Sequence, residues 1–260
     1  MGKLEGKVAI VTGGTAGIGR GIAEAFLNEG AATVVLNGRS AERGEKVLAE
    51  LGVGDRAVFH PGSVIEQAEC EGLIDFALER FGRVDVLVNN AGGCGDVQPV
   101  VSLSDFEWDN TIRWNLYSTF WATRRALPSM IDQEWGRIIN LSSVEGKHGK
   151  QVISPYVAAK HAIIGFTKSV AKEVGTQGVT VNAICPGLVI TDIVKNNGPS
   201  TAEAMGITFD EMVALFASES ATKRPTTVEE VAAVAVLLAS EAGGGITGGM
   251  ISVDGGTASY

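Results

Sequence analysis

"VTGGTAGIGRGIA", residues 11–23, joins an apolar run to a segment of helical period through Gly13, Gly14, Gly17 and Gly19. Glycine at such a joint lets the backbone bend sharply, lets amide N–H groups approach a ligand, and lets a helix pack close to a strand. The helix that begins there directs its partly positive N-terminus at whatever lies over the turn, which suits phosphate groups. The spacing is not G-x-G-x-x-G, so the joint specifies a strand, a tight turn and a helix, and the rest of the chain must supply the ligand.

Outward from this joint, Val/Ile-rich runs recur at 7–13, 32–38, 56–60, 84–90, 136–143, 179–187 and 250–256. They are apolar on both faces, as strands of a buried parallel sheet must be. Segments of helical period lie between them at 18–30, 40–52, 67–82, about 105–134, 155–175 and 226–240, several ending on Gly. Strict alternation predicts an α/β fold: a doubly wound, Rossmann-like, seven-stranded parallel sheet with helices on both faces, in a single domain over 1–260. One stretch, about 188–222, delays the return to the sheet and mixes "NNGPST" with an amphipathic "FDEMVALFA". An insertion of that length in a compact domain predicts a lid or substrate loop.

Composition narrows the function. With 45% hydrophobic residues the chain can bury a large core, and a net charge of −9 without basic runs opposes binding to nucleic acid or an anionic membrane. Cys70, Cys94 and Cys185 have neither disulfide nor zinc spacing. No basic leader and no apolar run of about 18 residues is present, which predicts a cytoplasmic protein with no membrane partner.

Two further stretches point to a nicotinamide nucleotide. The second strand ends "VVLNGRS" (34–40), with Asn37 near the place where a carboxylate would meet a free ribose 2′-hydroxyl, and Arg39 following. A 2′-phosphate needs cationic donors, so NADP(H) is expected over NAD(H). In "SPYVAAKHA" (154–162), Tyr156 and Lys160 lie one helical turn apart on one face, giving a phenol an ammonium neighbour.

Taken in order, T-G-x-x-x-G-I-G at 12–19, "NNAG" at 89–92, Asn115, Ser143, Tyr156-x-x-x-Lys160, "PG" at 186–187 with Thr191, and "VDGG" at 253–256 resemble the short-chain dehydrogenase/reductase family. The resemblance implies that Thr12, Gly13, Thr15, Gly17, Ile18 and Gly19 form the diphosphate turn. Asn37, Arg39, Ser63 and Val64 would meet the adenosine end, with Asn90, Ala91 and Gly92 flanking it. Ile184, Pro186, Gly187, Val189 and Thr191 would form the nicotinamide-side loop. Ser63 stands where the family usually has an Asp contacting adenine, which departs from the pattern.

The resemblance also implies a catalytic set of Asn115, Ser143, Tyr156 and Lys160, the last two also touching the cofactor. Ser143, not Ser142, lies at the family's interval of thirteen residues before the tyrosine. In ketone reduction Tyr156 would protonate the substrate oxygen, Lys160 would make the phenol more acidic, and Ser143 would hold the oxygen. Asn115 would distort its helix and hold a water linking Lys160 to solvent. A homotetramer is implied as well, with the apolar helix at 226–240 and the following strand forming one face.

Two subgroups compete for the substrate. Ser143, Gly146, Lys147, Gly149, Pro155, Tyr156, Arg39 and Tyr260 resemble ketoreductases of aromatic polyketide synthesis, although "GGCGD" replaces that group's Pro-Gly-Gly. "VVLNG", "YVAAKH" and "NAICPG" resemble 3-hydroxybutyrate dehydrogenases, but where that group grips a carboxylate with His, Lys and Gln this chain has Glu145, Ile153 and Cys94. A Glu there repels an acid. The expectation is therefore an NADP(H)-dependent reductase of a 3-oxoacyl thioester, polyketide or cyclic ketone, its pocket lined by Cys94, Glu145, Val152, Ile153, Leu188 and Ile193. An NAD-dependent 3-hydroxy acid dehydrogenase is the alternative, and a silent nucleotide sensor or scaffold the alternative of another class. His148 is expected on a solvated loop.

Overall fold

The computed structural model describes residues 2–258, so Tyr260 lies outside the described residues. Seven parallel strands form one sheet in the order β3-β2-β1-β4-β5-β6-β7. They are β1 (Val8–Val11), β2 (Thr33–Gly38), β3 (Ala57–Pro61), β4 (Val86–Asn89), β5 (Gly136–Leu141), β6 (Val179–Pro186) and β7 (Met250–Val253).

Alternation of side chains along each strand sends successive residues to opposite faces, and here both faces are covered. Ala9, Val11, Val34, Leu36, Val86 and Val88 pack into one core layer, whereas Ile10, Val35 and Leu87 enter the other. The first layer is closed by α1 (Gly17–Asn28), α2 (Ala41–Leu51) and, from the end of the chain, α9 (Val228–Ala239). The second is closed by α3 (Gln67–Phe81), by α4 (Asp105–Ile112) running through a π-helical turn at Arg113–Tyr117 into α5 (Ser118–Asp132), and by α6 (Ser154–Val174). One side of the apolar α9 is used within the chain. Val231, Ala235 and Leu238 of α9 are buried, and Gly21 of α1 approaches so closely that a Cβ there would lie 2.1 Å from Val228 Cγ1.

The predicted insertion folds as two helices, α7 (Asp192–Ala204) and α8 (Phe209–Ala217). "NNGPST" lies inside α7 with Pro199 in the helix interior. Gly198 accounts for the packing of the pair, because a Cβ there would meet the Phe209 ring at 2.3 Å.

Strand order reverses between β1 and β4, the point where an open α/β sheet leaves a crevice at the carboxyl ends of its strands. The first glycine-rich turn, the "NNAG" segment and the catalytic loop after β5 all end there.

Candidate active site

Thr12 fastens the two lips of the crevice. Its hydroxyl accepts the Asn90 and Ala91 backbone N–H groups at 2.9 and 3.0 Å, and the Asn90 amide donates to the Thr12 and Gly13 carbonyls at 2.9 and 3.3 Å. Gly13 and Gly17 have φ of 63° and 50°, in the left-handed region that favours glycine. At Gly17 a Cβ would fill the space against Thr191, 3.1 Å from its Cγ2, and at Gly19 it would strike the Gly13 carbonyl oxygen at 2.5 Å. Helix α1 starts at this turn without a side-chain cap and without an acidic residue in its first turn. Its first N–H groups therefore suit an external anion, as a diphosphate requires.

On the other side of the crevice the structure brings Asn115, Ser143, Tyr156 and Lys160 together. Lys160, buried on α6, donates to the Leu141 carbonyl at the end of β5 at 2.7 Å and places its Nζ 5.4 Å from the centre of the Tyr156 ring. Ser143 lies beside the Tyr156 phenol, where it favours the ionised form, while Ser142 donates to the Lys160 carbonyl beneath. Asn115 sits in the π-helical turn, its amide donating to the Gly93 and Thr111 carbonyls at 2.9 Å each. Gly92 leaves room for this meeting, since a Cβ there would lie 2.4 Å from Asn115 Oδ1 and 3.5 Å from Lys160 Nζ. The Asn115 backbone carbonyl accepts the Thr119 hydroxyl at 2.8 Å, so side-chain hydroxyls satisfy what the distorted ladder frees.

The electrostatics bear on how readily the pair exchanges protons. Burial pushes the Tyr156 phenol up to about 12, opposed by Ser143 and reinforced by the Glu145 charge, and burial lowers Lys160 to about 8. Burial and the nearby Glu145 charge thus act against ionisation of the phenol, in the direction opposite to the one expected from the Lys160 ammonium.

Other sequence-predicted contacts fall differently. Asn37 is buried and donates to the His60 and Gly62 carbonyls at 3.3 and 3.1 Å, tying β2 to β3 instead of reaching outward. Val64 and Val189 are buried in opposite core layers, and the Ser63 N–H is taken by Glu69 at 2.7 Å. At the end of β2, Gly38 backs onto Thr15, whose hydroxyl would lie 3.0 Å from a Cβ there, and Arg39 is exposed. Gly187 packs on Asp254, a Cβ at that position meeting its Cα at 2.9 Å, and the Leu188 carbonyl accepts Thr226 N–H at 2.8 Å.

Around the mouth, Cys94, Ile153 and Leu188 are half-buried, and Val152 and Ile193 are exposed. Val152 has φ 63°, a strained value for a β-branched residue, and its carbonyl accepts the Gln98 N–H at 2.8 Å, tethering the loop after β4 to the catalytic loop. Glu145, expected to repel an acid, is already engaged: its carboxylate hydrogen-bonds His148 Nε2 at 2.8 Å and pairs with Lys150 Nζ at 3.6 Å. His148 is thus engaged rather than solvated. Lys147 is also buried, donating to Ser252 Oγ at 2.9 Å. No spacing rule marks these loop cations, whose partners are set by the turn after Ser143.

The family model described as short chain dehydrogenase matches residues 7–202, from β1 into α7. The chain belongs to the short chain dehydrogenase family. As a family member it is an NAD(P)-dependent oxidoreductase, and the glycine cradle and uncapped α1 fit such a nucleotide. It is 41% identical to the D-beta-hydroxybutyrate dehydrogenase of Cupriavidus necator, over 97% of this chain and 98% of that one. It is 35% identical to the 3-oxoacyl-[acyl-carrier-protein] reductase FabG of Haemophilus influenzae, over 97% and 98%. A crystal structure of a single-substitution variant of actinorhodin polyketide ketoreductase with NADPH superposes with a TM-score of 0.93 at 33% identity, covering both chains completely. No helix among the described residues is long and apolar enough to cross a membrane.

Proposed function

We propose that this protein is an NADP(H)-dependent carbonyl reductase acting on neutral ketones, such as 3-oxoacyl thioesters, polyketides or cyclic ketones. The observation that carries the reading is the meeting of Ser143, Tyr156 and Lys160 at the crevice, with the Lys160 Nζ 5.4 Å from the centre of the Tyr156 ring. Bound in the crevice, NADPH would supply a hydride to the carbonyl carbon. Tyr156 then gives its proton to the carbonyl oxygen, an acid suited to neutralising the far more basic alkoxide. Ser143 donates a second hydrogen bond to that oxygen, fixing it against the phenol. Lys160 keeps an ammonium beside Tyr156, where it stabilises the phenolate left behind. The preference for the phosphorylated coenzyme is supported by the lack of an acidic residue at the end of β2, where Asn37 and Gly38 stand, and by the exposed Arg39 that follows.

A second reading, an NAD-dependent 3-hydroxy acid dehydrogenase, is favoured by the 41% identity to a D-beta-hydroxybutyrate dehydrogenase. Following absorbance of NADPH and of NADH against a panel of neutral ketones, 3-oxoacyl thioesters and acetoacetate separates the two. Turnover confined to NADH with acetoacetate would replace the first reading by the second.

The working form on this reading is a homotetramer, supported by the outer edge of β7, unpaired among the described residues, and by Leu237 exposed on α9. Light scattering at the monomer mass would remove it. A cytoplasmic setting is supported by Cys70, Cys94 and Cys185, all free thiols. Oxidation of these thiols in freshly isolated protein would argue otherwise.

A further inference from the structure

The loop after β5 carries a charged cluster that neither the proton path nor the nucleotide cradle uses. Glu145 follows Ser143 by two residues, and its backbone N–H donates to the Ser143 hydroxyl at 3.1 Å. Its side chain is 12% exposed and takes two basic groups at once, His148 Nε2 at 2.8 Å and Lys150 Nζ at 3.6 Å. The lid holds Lys150 from another side, the ammonium lying 4.2 Å from the centre of the Phe216 ring on α8. The cluster thus bridges the catalytic loop and the lid across the mouth. Its charge also reaches the reacting centre, where Glu145 opposes ionisation of Tyr156.

Two basic side chains on a loop beside the reacting phenol are what a substrate carboxylate would seek, since charge-assisted hydrogen bonds are the strong ones. Relatives at 41% and 40% identity are named for a hydroxy acid, so sites in this family do accept anions. In this chain a carboxylate of the protein already sits on the basic pair. A second anion entering the mouth would have to dislodge it or face it at short range, and both oppose binding.

We propose that Glu145 is a specificity-determining residue which occupies the His148–Lys150 pair as an internal anion and closes the site to carboxylate-bearing substrates. The inference rests on the carbonyl-reductase reading and deepens it by explaining why the substrate is neutral. It is tested with acetoacetamide and acetoacetate, nearly equal in shape and different in charge. Their kcat/KM values are compared in the wild type, Glu145→Gln, Glu145→Asp and the double variant Glu145→Gln with Lys150→Met. Where turnover of the pair is slow, the two are compared as competitive inhibitors of the best neutral ketone in the panel.

The wild type should favour the amide. Glu145→Gln should raise the acid-to-amide ratio about tenfold or more, chiefly through KM, because a freed cation now meets the acid. Glu145→Asp should keep the wild-type ratio, and Lys150→Met added to Glu145→Gln should remove the gain. A wild type that accepts the acid as well as the amide overturns the proposal. So does a Glu145→Gln protein that loses activity on both alike, as a purely structural residue would. Those results leave the reductase reading standing if neutral ketones are still reduced. A wild type inert toward every ketone with either coenzyme removes both.

Discussion

Replacing Lys160 by methionine should change how stability depends on pH, because the ammonium is buried in the folded protein. Burial holds Lys160 at about 8, against 10.5 in an unperturbed chain. From about pH 8 to 10.5 the unfolded chain therefore keeps a proton that the folded protein has released, and stability of the wild type rises with pH across that window. Below pH 8 both states are protonated and the cost of burying the charge is present in full. Each unit is worth about 1.4 kcal/mol, so the part of the window up to pH 9.5 corresponds to about 2 kcal/mol. The methionine variant keeps the aliphatic stem and cannot titrate. Urea denaturation of both proteins without nucleotide, at pH 7 and 9.5, should show the wild-type-minus-variant stability climbing by about 2 kcal/mol. Tyr156 is present in both, so its own titration cancels in the difference. A difference that stays constant, or falls, would refute a buried ammonium at this position and with it the charge assigned to the site.

Catalysis should follow the same titration, kcat/KM for ketone reduction declining above pH 8 as Lys160 loses its proton; a profile flat to pH 10 would contradict this. Tyr156→Phe should lower kcat by about a thousandfold or more, within the range of general acid catalysis, with NADPH affinity measured by fluorescence titration changed little. A variant keeping most of its rate would remove Tyr156 as the proton donor. Arg39→Gln should weaken NADPH binding by about 10- to 100-fold, the worth of one charged hydrogen bond, and leave NADH binding unchanged. Equal losses with both coenzymes would withdraw the assignment of Arg39 to a 2′-phosphate.

The fold was legible because its signals are local and repeated. Runs such as "KVAIVTG" and "VDVLVNN" hold consecutive apolar residues, Val8–Val11 and Val86–Val88, which a sheet covered on both faces accommodates, and the segments between them carry a helical period. The pairing of Tyr156 with Lys160 is legible for the same reason, since spacing along one helix sets it. Asn115 and Ser143 needed the family pattern, because their approach to that pair depends on a π-helical turn and on the end of β5.

Sequence by itself thus determined the layered α/β architecture, the glycine-rich turn after the first strand and the helix face that carries the phenol and the ammonium, because backbone periodicity and glycine geometry act between near neighbours. Only the tertiary structure decided which way Asn37 turns, that Val189 enters the core, that desolvation dominates at Tyr156, and that Glu145 is already paired. Burial and charge at a point are sums over residues distant in the chain, or, in the turn after Ser143, over side chains whose directions no periodicity sets.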